Sequence, residues 1–235
     1  MKVITVSNKV PTQPYYCWAA FHESLKRFGH EALVLGMNEP WGGLMTKPRK
    51  LRSWLRANVD AKVIIYCDSW DVVFAGCLDE IEYEFLRYPS SPRIIWNAEK
   101  TLFPDPTLNF PETGTPYRYL NSGFAVGYDW AFLRMLELMD LYNVLDDHWD
   151  GNGRRIEPND QLHFQEAFVA NYFPMALDSE ARICQTLHAV EADELDLTGD
   201  KIKNRITGSI PMAFHMNGQK ELWRDKILTK LNLPL

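Results

Sequence analysis

Lys62-Val63-Ile64-Ile65-Tyr66-Cys67-Asp68-Ser69-Trp70-Asp71-Val72-Val73-Phe74 decides the fold class of this 235-residue chain. The apolar run up to Cys67 is too short for a helix of its own and lacks the alternation of a half-exposed strand. It predicts a strand buried on both faces of a parallel sheet. The run stops at Asp68, and Asp71 follows with an indole between them. In open α/β sheets, ligands bind beyond the carboxyl ends of the strands. Two carboxylates there can hold a hard divalent cation, and such a cation can hold a diphosphate. The competing reading is structural, with Asp68 ending the strand and Asp71 capping the next turn.

Upstream, Lys2–Val6 reads as a first strand and Tyr15–Gly29 as a helix with Trp18, Phe21, Leu25 and Phe28 on one face. Glu31–Gly36 reads as a second strand. Strand, helix, strand is a βαβ unit, so the sheet begins parallel. The glycine-rich loop Asn38–Gly43 carries Trp41, which either packs back on the domain or stacks on a nucleotide base. Lys47–Ala57 is a basic helix with Lys47, Arg49, Lys50, Arg52 and Arg56. Most of those charges read as a solvated face, with one lysine near the loop able to reach a phosphate.

Downstream, Leu78–Tyr88 is an acidic amphipathic helix and Arg93–Glu99 a buried strand ending in a carboxylate. Tyr117–Tyr128 reads as a strand interrupted where a ligand or backbone comes close. Trp130–Leu141 is an apolar helix. Asp146–Arg155 is a polar, glycine-containing loop that lacks the ligand spacing and closing glutamate of a calcium loop. Pro158–Asn159–Asp160–Gln161 opens a helix to about Asn171, with Asp160 in its first turn, where an acid suits the helix dipole. Short strands follow near Met175–Asp178, Ile183–Leu187 and Met212–His215, then a helix from about Glu221. The expectation is a single α/β domain over residues 1–235, with a mostly parallel central sheet and helices on both faces.

Composition narrows the function classes. A net charge of −6 argues against broad attraction to nucleic acid, although the basic stretch Lys47–Arg56 permits a local contact. Cys17, Cys67, Cys77 and Cys184 form no zinc spacing and read as reduced thiols. No stretch approaches a membrane span or a signal peptide, so the expected location is cytoplasmic. There is no Walker A loop and no Gly-x-Gly-x-x-Gly, which removes the P-loop and dinucleotide readings.

The polar groups at strand ends are Asp68, Asp71, Glu99, Asn121, Asp160 and His215. So many oxygens with one imidazole suit manganese or magnesium, and a metal beside a stacking ring suits a nucleotide diphosphate. A nucleotide-sugar transferase fits this set best. The chain also resembles the glycosyltransferase domain of the procollagen lysyl hydroxylases and related collagen-type transferases. The resemblance is carried by Thr5-Val6, Trp41-Gly42-Gly43, Asp68-Ser69-Trp70-Asp71-Val72-Val73-Phe74, Asn97-Ala98-Glu99, Tyr119-Leu120-Asn121-Ser122-Gly123-Phe124, Asp160-Gln161, Ile183-Cys184-Gln185 and His215-Met216-Asn217-Gly218.

That resemblance implies a GT-A fold that uses a UDP-sugar and Mn2+ (or Mg2+). By position it implies metal ligands Asp68, Asp71 and His215. Trp70 and Trp41 would lie against the uracil, with Asn121 also on the donor. Lys220 would neutralise the diphosphate, with Lys50 a weaker candidate, and Asn217 and Gly218 would let the phosphates approach. Asp160 would face sugar and acceptor as the first candidate base, with Glu99 the second. Three residues depart from the family pattern: Trp70 stands where the family usually has tyrosine, Met216 replaces a glycine, and Asn159 replaces an acid. The acceptor is a hydroxyl on a protein side chain, a glycan or a hydroxymethylated DNA base. The rival readings are a nucleotide-sugar hydrolase or pyrophosphorylase, and a non-catalytic nucleotide-sugar-binding module.

Overall fold

The structure, a computed structural model, describes every residue except 14, 15, 61, 142–147, 150, 154 and 219. For residues 140, 141, 148, 149, 155, 156 and 220–222 it describes the backbone alone. The elements run β1 (Lys2–Val6), α1 (Trp18–Arg27), β2 (Ala32–Leu35), α2 (Thr46–Asn58), β3 (Val63–Cys67), β4 (Val72–Phe74) and α3 (Leu78–Leu86). Then come β5 (Ile94–Glu99), β6 (Tyr119–Tyr128), α4 (Asp129–Leu141), β7 (His148–Trp149), β8 (Arg155–Ile156) and α5 (Asp160–Val169). The chain finishes with β9 (Met175–Asp178), β10 (Cys184–Thr186), β11 (Leu195–Asp196), β12 (Lys203–Asn204), β13 (Ala213–His215) and α6 (Lys220–Lys230).

The main sheet has six strands in the order β2-β1-β3-β6-β5-β9. All its pairings are parallel except those of β6, which runs against both β3 and β5. The direction of β6 positions the site. The carboxyl ends of β3 and β5 share one edge with the amino-terminal end of β6, through Cys67 opposite Phe124 and Ala98 opposite Leu120. Asp68, Glu99 and Asn121 therefore come to one edge of the sheet.

All five residues of β3 are buried, as its unbroken apolar run predicts. Ile64 and Tyr66 join the core on one face with Leu51 and Leu55 of α2 and Phe132 of α4. Val63, Ile65 and Cys67 join the other, with Phe21 and Leu25 of α1 and Ile81 of α3. Helices cover both faces of the sheet. Trp223, Ile227 and Leu228 anchor α6 on the first core.

A second sheet, β10-β13-β4, begins where the Asp68–Asp71 turn ends. His215 of β13 pairs with Val72 of β4, so the register sets His215 beside Asp71. β6 is one continuous strand of ten residues, but its ladder with β5 is interrupted as expected, the register jumping from Ala125 opposite Trp96 to Leu120 opposite Ala98. The close approach behind that expectation is real, because a Cβ on Gly123 would lie 2.1 Å from His215 Cε1. Within the segment expected as an open loop, β7 and β8 form a small antiparallel hairpin. The rest of that expectation, residues 146, 147, 150 and 154, lies outside the described residues.

Candidate functional site

The site begins with an ionic chain through the end of β3. Asp68, Asp71 and His215 each offer one ligand atom, and these atoms lie within 4.8 Å of one another. His215 Nε2 is 3.4 Å from Asp71 Oδ1, buried, and without a hydrogen-bond partner among the described residues. Its Nδ1 lies 3.3 Å from the Asn97 amide. Oriented with its nitrogen toward the carbonyls of Phe124 and Asn121, at 3.0 and 2.5 Å, that amide offers its oxygen to the imidazole. This fixes the tautomer that leaves Nε2 as an acceptor, as outer hydrogen bonds do for metal-ligating histidines. Two carboxylates and one imidazole fit a hard divalent cation. An orphaned Nε2 over a glycine that makes room for it suits the same group. Met216 turns into the core, 1% exposed, with its sulfur 3.6 Å from Cys17 Sγ.

Lys47 joins this cluster to Asp160. Its Nζ lies 3.0 Å from Asp68 Oδ1 and 2.9 Å from Asp160 Oδ2. Burial alone would push the Lys47 ammonium down, but the carboxylates of Asp160 and Asp68 outweigh it and hold the group well above the ordinary lysine range. Burial also raises the Asp68 carboxyl; the Lys47 charge pulls it down again, and Asp71 and Asp160 push it up. Asp160 is 2% exposed at the start of α5. Asn159 is the N-cap of that helix, accepting from the backbone N–H groups of Gln161 at 2.9 Å and Leu162 at 3.4 Å. An asparagine caps as well as an acid, and the cap sets the direction in which Asp160 leaves the helix.

Lys47 is the residue that sequence reading passed over among the charges of the basic helix. Its signal is its spacing: positions 47, 51 and 55 share one helical face, and Leu51 and Leu55 are fully buried. Burying each leucine stabilises by about 1.5–3 kcal/mol, which carries the lysine inward with them. Lys50 lies on a different face and pairs with Glu39. The side chain of Lys220 lies outside the described residues.

Glu99 is the second hub. Its Oε1 accepts from Asn121 Nδ2 at 3.1 Å and Gln161 Nε2 at 3.0 Å, and its Oε2 from Asn217 Nδ2 at 2.9 Å. Burial raises its carboxyl, against the pull of Asn121, His215, His188 and Gln161. Asn121 and Asn217 thus act as braces. Asn121 Oδ1 accepts from Gly123 N, and Asn217 Oδ1 accepts from Leu187 N and His188 N. Gly218 is left-handed at φ +69°, with the His188 ring lying against it. His188, Gln161 and Asn97 join the site without having been singled out as site residues in the sequence.

Beside Asp68 and Asp71 opens a cavity of about 410 Å³, lined among others by Trp41, Trp70, Ser7, Lys47 and those two carboxylates. Trp70 Nε1 donates to Ser7 Oγ at 2.9 Å, and Tyr16 meets its ring edge-on at 4.7 Å between centroids. Trp41 is 40% exposed. Two indoles and a carboxylate pair line the same cavity. A larger cavity of about 800 Å³ between α3 and the segment before β13 holds none of these groups.

The description "PLOD GT domain" belongs to a family model that matches residues 1–228. The chain belongs to the PLOD glycosyltransferase-domain family. Among curated relatives, it is 30% identical over 239 residues to a procollagen-lysine,2-oxoglutarate 5-dioxygenase of Drosophila melanogaster, covering 93% of this chain and 30% of the relative. It is 28% identical over 241 residues to the multifunctional procollagen lysine hydroxylase and glycosyltransferase LH3 of Homo sapiens, covering 94% of this chain and 30% of that protein. The chain thus spans about a third of these relatives' length. In fold, this family member is similar to an active-site mutant of LgtC, with a TM-score of 0.53 and 13% identity over 99% of this chain and 95% of that one. It is also similar to the bifunctional glycosyltransferase WbbM, with a TM-score of 0.50 and 11% identity over 99% of this chain and 50% of that one. The fold is GT-A.

Proposed function

We propose that the protein transfers a sugar from a UDP-sugar to an acceptor hydroxyl, with Asp68, Asp71 and His215 holding a divalent cation. The observation that carries this reading is that Asp68 and Asp71, two of the three clustered ligand residues, line the same cavity as the two indoles. Trp70 and Trp41 would hold the base. The bound cation would supply Lewis-acid stabilisation of the charge that develops on the leaving diphosphate. Lys47 adds a fixed positive charge at the same edge, already aligned before substrate arrives. Asn97 keeps the His215 tautomer, and Asn121, Gln161 and Asn217 keep Glu99 in place.

Both carboxylates considered as bases are engaged: Asp160 with Lys47, and Glu99 with three amides. This favours a second reading of the chemistry, in which no side chain takes the acceptor's proton and a departing diphosphate oxygen accepts it. The basic helix gives little support to a DNA acceptor, because Lys47 turns inward while Lys50 and Arg56 approach Glu39 and Glu137. A protein or glycan hydroxyl is the acceptor we propose, in a reducing compartment such as the cytoplasm.

The test is a panel of UDP-sugars with Mn2+, scored for UDP release with and without hydroxylated peptides and oligosaccharides. One donor whose turnover rises with an acceptor supports transfer. Turnover indifferent to every acceptor would assign the site to hydrolysis instead, and binding without turnover would make it a binding module.

A further inference from the structure

Trp41 and Trp70 line the cavity on the β1 and α2 side of Asp68 and Asp71. A nucleoside held there, with its diphosphate at Asp68 and Asp71, would direct its sugar along the strand order toward the ends of β6 and β5. His188 stands at that far end, two residues beyond β10, and more contacts fix its ring than a half-exposed histidine needs. Its Nδ1 lies 2.7 Å from Thr101 Oγ1 and 3.7 Å from Glu99 Oε2. Its backbone N–H donates to Asn217 Oδ1 at 3.2 Å. The ring occupies the place of an absent side chain, since a Cβ on Gly218 would come within 2.3 Å of His188 Cδ2. The next residue, Ala189, takes φ +57°, a left-handed conformation unfavourable for alanine. Lys100 Nζ holds its carbonyl at 3.1 Å.

The ring is thus anchored through Nδ1, while the side chain keeps 37% of its surface exposed. Nε2 is the nitrogen left to meet a ligand. In either neutral tautomer it matches a hydroxyl, as donor or as acceptor. Glu99 is less suited, because both its oxygens already serve Asn121, Gln161 and Asn217.

We infer that His188 binds a hydroxyl of the donor sugar through Nε2, an assignment that rests on the nucleotide-sugar reading above. The experiment is calorimetric titration of UDP, UDP-glucose and UDP-galactose in Mn2+ on the wild type, His188→Ala and His188→Gln. The alanine variant is expected to keep its UDP affinity within about twofold and to bind the preferred UDP-hexose about five- to tenfold more weakly, as for one lost hydrogen bond. Glutamine, whose amide reaches the Nε2 position, is expected to restore part of that loss. A UDP-hexose affinity unchanged in His188→Ala overturns the assignment, as does an equal weakening of UDP and UDP-hexose. A wild type that binds none of the three overturns the nucleotide-sugar reading itself, and the assignment with it. Should the alanine variant lose its melting transition, Thr101→Val frees Nδ1 instead. Its expected effect is a two- to threefold weakening confined to the UDP-hexoses, and no such selective loss there overturns the assignment.

Discussion

Trp70 carries two duties that one substitution can separate. Its Nε1–H is held by Ser7 while its ring lines the cavity. Stacking a base on an aromatic ring is worth about 1–3 kcal/mol, so Trp70→Ala is expected to weaken UDP roughly tenfold to a hundredfold with the melting transition retained. Loss of the transition without a selective binding defect would make Trp70 a core residue. Asp178 offers a test of pH dependence at a site away from the cluster. Its carboxylate accepts from the backbone N–H groups of Arg182, Ile183 and Cys184 at 2.8–2.9 Å. Burial pushes its pKa up, those amides pull it back, and the balance lies at about 6 against an ordinary 3.8. The folded protein therefore binds this proton more tightly than the unfolded chain. The group's stabilising contribution is full below about pH 4 and is lost as pH rises through about 6, an effect on the order of 3 kcal/mol. Urea unfolding of the wild type relative to Asp178→Asn is expected to show that decline between pH 4 and 7. Parallel profiles would contradict it.

Two elements decide whether the site assembles. In β6, Gly123 leaves the space that the His215 ring fills, and a Cβ there would stand 2.6 Å from Nε2. Gly123→Ala is expected to cut Mn2+ affinity tenfold or more with little change in far-UV circular dichroism; unchanged affinity would mean that the ring moves aside at no cost. Between α2 and α5, Lys47 and Asp160 form one buried pair, so Lys47→Met and Asp160→Asn are expected to lower kcat by similar factors, with the double variant hardly worse than either. Additive losses would mean that the two act separately. The sequence displayed β3 fully, since five consecutive apolar residues ending at an acid have few other readings. It displayed α2 only in outline. Its charges suggested a solvated face, and the inward turn of Lys47 showed only in its spacing to Leu51 and Leu55. Asp68, Asp71 and His215 were legible because chemistry-bearing residues recur at strand ends. The Glu99 brace was not, because it depends on β6 running antiparallel between β3 and β5, a pairing that no local pattern encodes.

At the scale of the whole molecule, the site is a stress on the fold. Lys47, Asp160 and Glu99 are buried beside the less buried Asp68 and Asp71, and buried charges cost free energy that only well-placed partners offset. Ligands that supply the missing countercharge are expected to stabilise the protein as a unit. At about a hundred times Kd, a ligand adds about 2.7 kcal/mol, which for a chain of this length raises Tm by roughly 5–10 °C. Mn2+ with UDP is expected to produce such a shift in the wild type and none in Asp71→Ala. Because β4 and β13 pair next to Asp71, a small change in the intrinsic Tm of that variant is compatible with this outcome. The most direct measurement is the calorimetric affinity for UDP in Mn2+ and in chelator, on wild type and His215→Ala. The cluster assignment requires UDP binding that depends on Mn2+ in the wild type and is lost in both chelator and the variant. UDP bound equally well in chelator, or by His215→Ala in Mn2+, would contradict it.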